Sequence, residues 1–357
     1  MIKYLGSKRR LVGVLGALIE GAGAHTVLDL FTGTTRVAQV CKARGAAVTA
    51  VDLASYAHVF AQCYIATDAA AVDVAALDVA VAELNALPPR AGYVTEVFCR
   101  DARYFHPDNG ARIDAIRDRI EAGYAGTPLW PILLTSLIEA ADRVDSTTGV
   151  QMAYLKQWAP RALRPLELRP PELLAGPGRA VRGDAVALVS SGALSRHDVA
   201  YLDPPYNQHR YFTNSHVWET LVRWDAPEHY GVACKRIDSR AAETRSAFNA
   251  KRAMPAALAE VVAGVDADLV VLSYNDEAWV TPEDLEAMCA ARGAVEVLAF
   301  DSKRYVGAQI GIHDPAGRRV GEVSHTHNRE LVVVAGERRR VATAVAAART
   351  VAPPVPA

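Results

Sequence analysis

Thr26-Val27-Leu28-Asp29-Leu30-Phe31-Thr32-Gly33-Thr34-Thr35 is an apolar run carrying one acid that gives way to a glycine-containing turn. A short apolar run bounded by a turn signal reads as a buried strand. Residues 36–44 follow with a helical pattern, and Ala47-Val48-Thr49-Ala50-Val51-Asp52 is a second apolar run that again ends on an acid. Strand, glycine turn, helix and strand ending in Asp is the start of a doubly wound α/β domain. Ligands of such domains bind outside the carboxyl ends of the strands. Gly33 lets the backbone approach a ligand closely, and Asp52 is placed to accept hydrogen bonds from two ribose hydroxyls. A dinucleotide site would carry G-x-G-x-x-G, and only one glycine stands here. The pattern alone is shared between nucleotide binding and plain packing.

Further apolar runs at 199–202, 269–273, 295–300 and 330–335 carry the sheet through the second half of the chain. Residues 85–180 read differently, with Pro88-Pro89, helical stretches at 111–122 and 130–143, and then Pro160, Pro165, Pro170-Pro171 and Pro177. We read this as a mainly helical insertion, leaving 1–84 and 181–337 as the core. The Ala/Val/Pro-rich segment 338–357, with its basic start, reads as a poorly ordered tail.

With 357 residues and 51% hydrophobic content, the chain can bury one large core or two moderate ones. Its five cysteines are widely spaced without a C-x-x-C pair, which argues against a disulfide framework or a zinc site and for a reducing cytoplasm. His325 and His327 alternate near Glu330, but no third group converges at that spacing, so no metal site is expected. No apolar stretch reaches the roughly 20 residues of a membrane span, and no signal-peptide pattern opens the chain. A net charge of -1 gives no global attraction to nucleic acid. Two local basic runs are present: Lys156, Arg161, Arg164 and Arg169, and then Lys235, Arg236, Arg240, Arg245, Lys251 and Arg252. Each reads equally as a solvated face or as phosphate contacts.

Between those runs, Val199-Ala200-Tyr201-Leu202 leads into Asp203-Pro204-Pro205-Tyr206. Proline fixes φ and pushes the residue before it to extended geometry, so two in a row freeze the corner before any ligand arrives. The Asp203 carboxylate and the Pro204 carbonyl can each accept one hydrogen of a planar amine, while Tyr206 stacks on the attached ring. Holding both hydrogens turns the nitrogen lone pair toward an electrophile.

The corner resembles the Asp-Pro-Pro-Tyr motif of amino-methyltransferases, in particular Dam-type adenine-specific DNA methyltransferases. Asp29-Leu30-Phe31-Thr32-Gly33 is similar to that family's D-x-F-x-G signature for S-adenosyl-L-methionine (AdoMet), although Thr35 stands where the family usually has a second glycine. Lys3-Tyr4-Leu5-Gly6-Ser7-Lys8 is similar to its K-W-x-G-x-K element, and Arg182-Gly183-Asp184-Ala185 to its G-D-F element. Motifs in family order run from Ile2 to about Gly336.

The resemblance implies a Rossmann-like α/β methyltransferase sheet with an inserted target-recognition region at 85–180. It implies AdoMet held by Tyr4, Lys8, Asp29, Phe31, Gly33, Asp52 and Asp184, with Asp101 a weaker competitor for the last role. It implies methyl transfer to N6 of a flipped adenine in double-stranded DNA by Asp203, Pro204 and Tyr206, in restriction-modification or a related DNA-marking role. The residues leave open a cytosine or RNA amine, and a non-catalytic AdoMet- and DNA-binding module. Monomer and weak dimer also both stay open.

Overall fold

The computed structural model describes residues 2–3, 8–147, 149, 151, 154–155, 157–205, 211–241, 244–276, 278–303, 312–313, 319–321 and 327–352. The chain divides into two compact units. One comprises Met1–Arg9, Thr32–Asp184 and His209–Ser246, and the other Arg10–Phe31, Ala185–Gln208 and Ala247–Ala357.

The second unit holds β1 (Thr26–Asp29), β4 (His197–Leu202), β7 (Ala267–Asn275), β8 (Ala294–Lys303) and β11 (His327–Gly336). β1 pairs with β4 and β4 with β7, all parallel, whereas β11 lies between β7 and β8 and runs antiparallel to both. The central strands read as continuous apolar runs because both their faces are covered. Val199, Ala200, Leu202, Leu269, Val270, Val271, Leu272, Val332, Val334 and Ala335 are all fully buried. The first unit contributes β2 (Ala47–Asp52) and β3 (Gly178–Arg182), which pair in parallel. The strand order is β1-β4-β7-β11-β8 in the second unit, and β3 lies beside β2 in the first, a mostly parallel arrangement. This is the α/β class expected, with β3 an unforeseen edge strand.

Helices α1 (Val12–Gly21), α7 (Ala185–Ser190), α10 (Met254–Gly264), α11 (Pro282–Ala290) and α12 (Arg338–Val351) belong to the second unit. α12 corrects the expectation of a disordered tail for residues 338–351, while 353–357 lie outside the described residues. Glu337 caps it by accepting the N–H groups of Arg339 and Arg340, and Val341, Ala344, Val345 and Ala348 recur at i, i+3, i+4 and i+7 on a buried face. That face lies against α1, so closely that a Cβ on Gly21 would come within 2.5 Å of the Ala347 Cβ. Alanine's high helix propensity and an apolar docking surface outweigh the low-complexity composition.

In the first unit, α2 (Arg36–Ala43) and α3 (Ser55–Ala61) flank β2, followed by α4 (Val74–Ala86), α5 (Pro107–Tyr124) and α6 (Leu129–Arg143). α8 (Tyr211–Asn214), α9 (His216–Arg223) and the hairpin of β5 (His229–Tyr230) with β6 (Lys235–Arg236) complete it, while β9 (Ile312–His313) and β10 (Arg319–Gly321) pair in the second unit. The helical character expected for 85–180 is present in α5 and α6. The boundary expected at 84/85 does not coincide with a division of the chain, since 32–184 stay together. No helix among the described residues is long and apolar enough to cross a membrane.

Candidate active site

In the second unit, β1 and β4 end side by side. Asp29 is in register with Tyr201, and the Leu30 N–H donates to the Tyr201 carbonyl at 3.1 Å. Phe31 and Asp203 each stand two residues beyond that pair, so Asp29, Phe31 and Asp203 emerge at the carboxyl ends of neighbouring strands. Asp29 is buried, Asp203 half-buried and Pro204 buried. The two prolines lack N–H donors, which stops the ladder at Leu202 and leaves Asp203 at the corner. Phe31 is held edge-on against Phe248, centroids 5.0 Å apart.

In the first unit, the glycine turn closes on the second acid. Gly33 adopts φ +50°, the left-handed region that favours glycine, and its N–H donates to Asp52 Oδ2 at 2.9 Å. Asp52 Oδ1 accepts the Ala54 N–H at 2.9 Å, and the Asp52 carbonyl accepts the Gly183 N–H at 3.1 Å. The end of β3 is thereby fixed beside the end of β2, and half-buried Asp184 follows one residue on. Burial pushes the Asp52 carboxyl up, opposed by the N–H bonds from Ala54 and Gly33, while the nearby charge of Glu219 pushes it further up. Thr35, where the family motif usually has glycine, takes the left-handed conformation nonetheless, at φ 61°. Its N–H bonds to the Thr32 carbonyl at 2.7 Å, and its hydroxyl donates to the Thr34 carbonyl at 2.7 Å and accepts from Gln39 Nε2 at 2.8 Å. The hydroxyl holds a turn that glycine would adopt unaided.

Lys8 is buried, in the 3₁₀ turn Lys8–Arg10, whereas Tyr4 and Tyr206 lie outside the described residues. Asp101 is exposed, with its carboxylate 3.9 Å from His229, and Asp184 rather than Asp101 lies one residue from the Gly183 contact to Asp52.

The basic runs are partly spent inside the protein. The Arg236 guanidinium is buried and meets Asp225 at 2.7 Å and Asp238 at 2.8 Å, and Arg161 meets Asp145 at 2.8 Å. Arg164, Arg169, Arg240, Arg245, Lys251 and Arg252 are exposed. Buried Glu219 on α9, whose charge acts on Asp52, has no local pattern in sequence to mark it.

These groups fit AdoMet. Asp52 is a carboxylate fixed by two backbone N–H groups whose oxygens retain lone pairs for a ribose diol. It follows a turn whose backbone, at Gly33, is free of a Cβ.

The family model of the D12 class N6 adenine-specific DNA methyltransferases matches residues 4–288. The chain is 28% identical over 319 residues to the type II methyltransferase M.NlaIII of Neisseria lactamica, covering 85% of this chain and 92% of that protein. It is 26% identical over 330 residues to the modification methylase StsI of Streptococcus sanguinis, covering 87% of this chain but only 50% of that one. It is 29% identical over 223 residues to the type II methyltransferase M.CviAII of Paramecium bursaria Chlorella virus 1, covering 60% and 64%.

Proposed function

Because the chain belongs to the D12 class of N6 adenine-specific DNA methyltransferases, we propose that the Asp203–Pro204 corner holds the exocyclic amine of a flipped adenine for direct methyl transfer. The enzymes of this class methylate adenine in DNA and take the methyl group from AdoMet. The observation that carries the reading is the placement of Asp203, half-buried and followed by a buried proline, at the end of the strand paired with β1. The Asp203 carboxylate and the Pro204 carbonyl accept the two amine hydrogens. They direct the lone pair outward and stabilise the positive charge that grows on nitrogen as the new bond forms. The proton leaves after transfer, so no covalent nucleophile is needed. Tyr206 stacks on the extruded base and offsets the stacking lost in the duplex.

Asp52 holds the ribose diol, with Gly33 giving close backbone approach, while Asp29, Phe31 and Asp184 line the rest of the donor site together with Tyr4 and Lys8. When bound, the sulfonium of AdoMet supplies the electrophilic methyl. The chain's part is to orient the amine in line with it and keep the reacting atoms together. Residues 85–180 read the target in double-stranded DNA, and the protein works in the cytoplasm as the modification half of a restriction-modification pair or a related marking system.

The experiment is methylation of duplex oligonucleotides by purified protein with labelled AdoMet, followed by base analysis and sequencing of modified bases in host DNA. Label in N6-methyladenine is the expected result, and label confined to cytosine or RNA overturns it. Asp203→Ala abolishes transfer, by at least about 100-fold for loss of a group stabilising developing charge, while AdoMet binding survives. Unchanged turnover in that variant removes Asp203 from the mechanism.

A further inference from the structure

Glu219 sits on α9 with only 1% of its surface exposed. It serves an element 164 residues earlier in the chain: its Oε2 accepts the Ser55 N–H at 2.9 Å and the Tyr56 N–H at 3.3 Å. These are the first N–H groups of α3, whose own N-cap, Ala54, has no side chain able to bond them. The turn they terminate is Asp52-Leu53-Ala54-Ser55, in which Asp52 Oδ1 accepts the Ala54 N–H. A continuous set of bonds thus runs from Gly33 through Asp52 and Ala54 to α3, and from there to Glu219. The far end of α9 is held as well, because the buried Arg117 guanidinium of α5 donates to the Leu221 and Val222 carbonyls at 2.6 and 3.0 Å.

Stability alone does not account for this carboxylate. Glu219 Oε1 and Ser55 Oγ are both buried and make no hydrogen bond among the described residues, and burial of unsatisfied polar atoms is costly. The charge of Glu219 also repels that of Asp52. A serine at Ala54 would cap the helix locally without burying a second charge near Asp52. What the arrangement provides is a link between the Asp52 turn and α9, the helix that follows the Asp203–Tyr206 corner in sequence.

We propose that Glu219 is a positioning residue for the methyl-donor site: it caps α3 from a separate helix and so fixes the direction in which Asp52 presents its carboxylate to the ribose diol. The inference rests on the reading of Asp52 as the diol-binding acid. It assigns Glu219 a role exerted through Asp52, without contact to the donor.

The test is calorimetric binding to the full chain of S-adenosylhomocysteine and of its 2′,3′-dideoxyribose counterpart. Wild-type protein prefers the diol, and Asp52→Ala erases the preference. Glu219→Ala reduces it about tenfold, the scale of one lost hydrogen bond to a charged group, with little effect on the dideoxy ligand. Glu219→Gln, which keeps an acceptor at the same reach, restores it to within about twofold of wild type, since the amide oxygen can still take both N–H groups. If Glu219→Ala does not fold, Glu219→Asp, which keeps the charge and shortens the reach, is read in the same way.

Equal weakening of both ligands, or of neither, in the Glu219 variants while Asp52→Ala erases the preference overturns this inference alone and leaves α9 a structural support. Retention of the full preference in Asp52→Ala overturns the reading of Asp52 and this inference with it.

Discussion

The N–H of Gly33 donates to Asp52 Oδ2 at 2.9 Å, tying the turn after the first strand to the acid that ends the second. Two features separated by 19 residues thereby form one unit, and the acid is oriented before any ligand binds. Preorganisation of this kind removes an ordering cost that binding would otherwise carry.

The turn depends on two left-handed residues, for different reasons. Gly33→Ala places a Cβ at φ +50° and costs about 1 to 2 kcal/mol. Thr35→Ala keeps the same strain and loses the hydroxyl bonds to Thr34 and Gln39, for about 1 kcal/mol. Urea unfolding reads both, and AdoMet titration should show weaker binding for Gly33→Ala. Unchanged unfolding midpoints in both variants would contradict the turn described here.

His216 is fully buried, and its Nε2 donates to the Gln151 carbonyl at 2.9 Å. Burial holds its pKa down at about 3, against an ordinary 6.5, with the Gln151 bond opposing and Lys235 and Arg236 assisting. Because the folded value lies below the unfolded one, the unfolded chain takes up this proton first as pH falls. The contribution of neutral His216 is complete above about pH 6.5 and is lost between there and pH 3, at up to about 1.4 kcal/mol per pH unit. His216→Gln keeps a donor and does not titrate. Urea unfolding at a series of pH values should therefore show a shallower loss of stability in the variant between pH 6 and 4, and parallel curves would refute the assignment.

Truncation after Gly336 removes α12 and with it the buried side chains of Val341, Ala344, Val345 and Ala348. The two valines alone correspond to about 3 kcal/mol or more, and the exposed face of α1 favours aggregation. Thermal unfolding of the truncated chain should show a clearly lower midpoint. An unchanged midpoint would make the helix an ornament.

The parts of the fold legible in sequence are those whose environment is uniform. β1, β2, β4 and β7 are apolar runs because the sheet is covered there, and Asp29, Asp52 and Asp203 stand out as acids ending such runs. β3 escapes because Gly178-Arg179-Ala180-Val181-Arg182 is an edge strand with both arginines exposed, so no apolar run is required. α12 hides behind its composition although its 3.6-residue spacing is present. Arg236 reads as one member of a basic run until Asp225 and Asp238 are seen to clasp it. Glu219 has no local signature, because its partners lie 164 residues away.

The position of β11 carries a consequence for the order in which the molecule is made. Among the described residues, β8, formed from residues 294–303, has β11 as its only neighbour in the sheet, and β11 is drawn from residues 327–336. A nascent chain that has reached residue 320 therefore holds a strand with nowhere to pair and an open edge on β7. The sheet closes only after its last strand is synthesised, so a prematurely released chain is an unfinished sheet with two adhesive edges. Translation must pass residue 336 before the Asp203–Pro204 corner has the described sheet complete behind it.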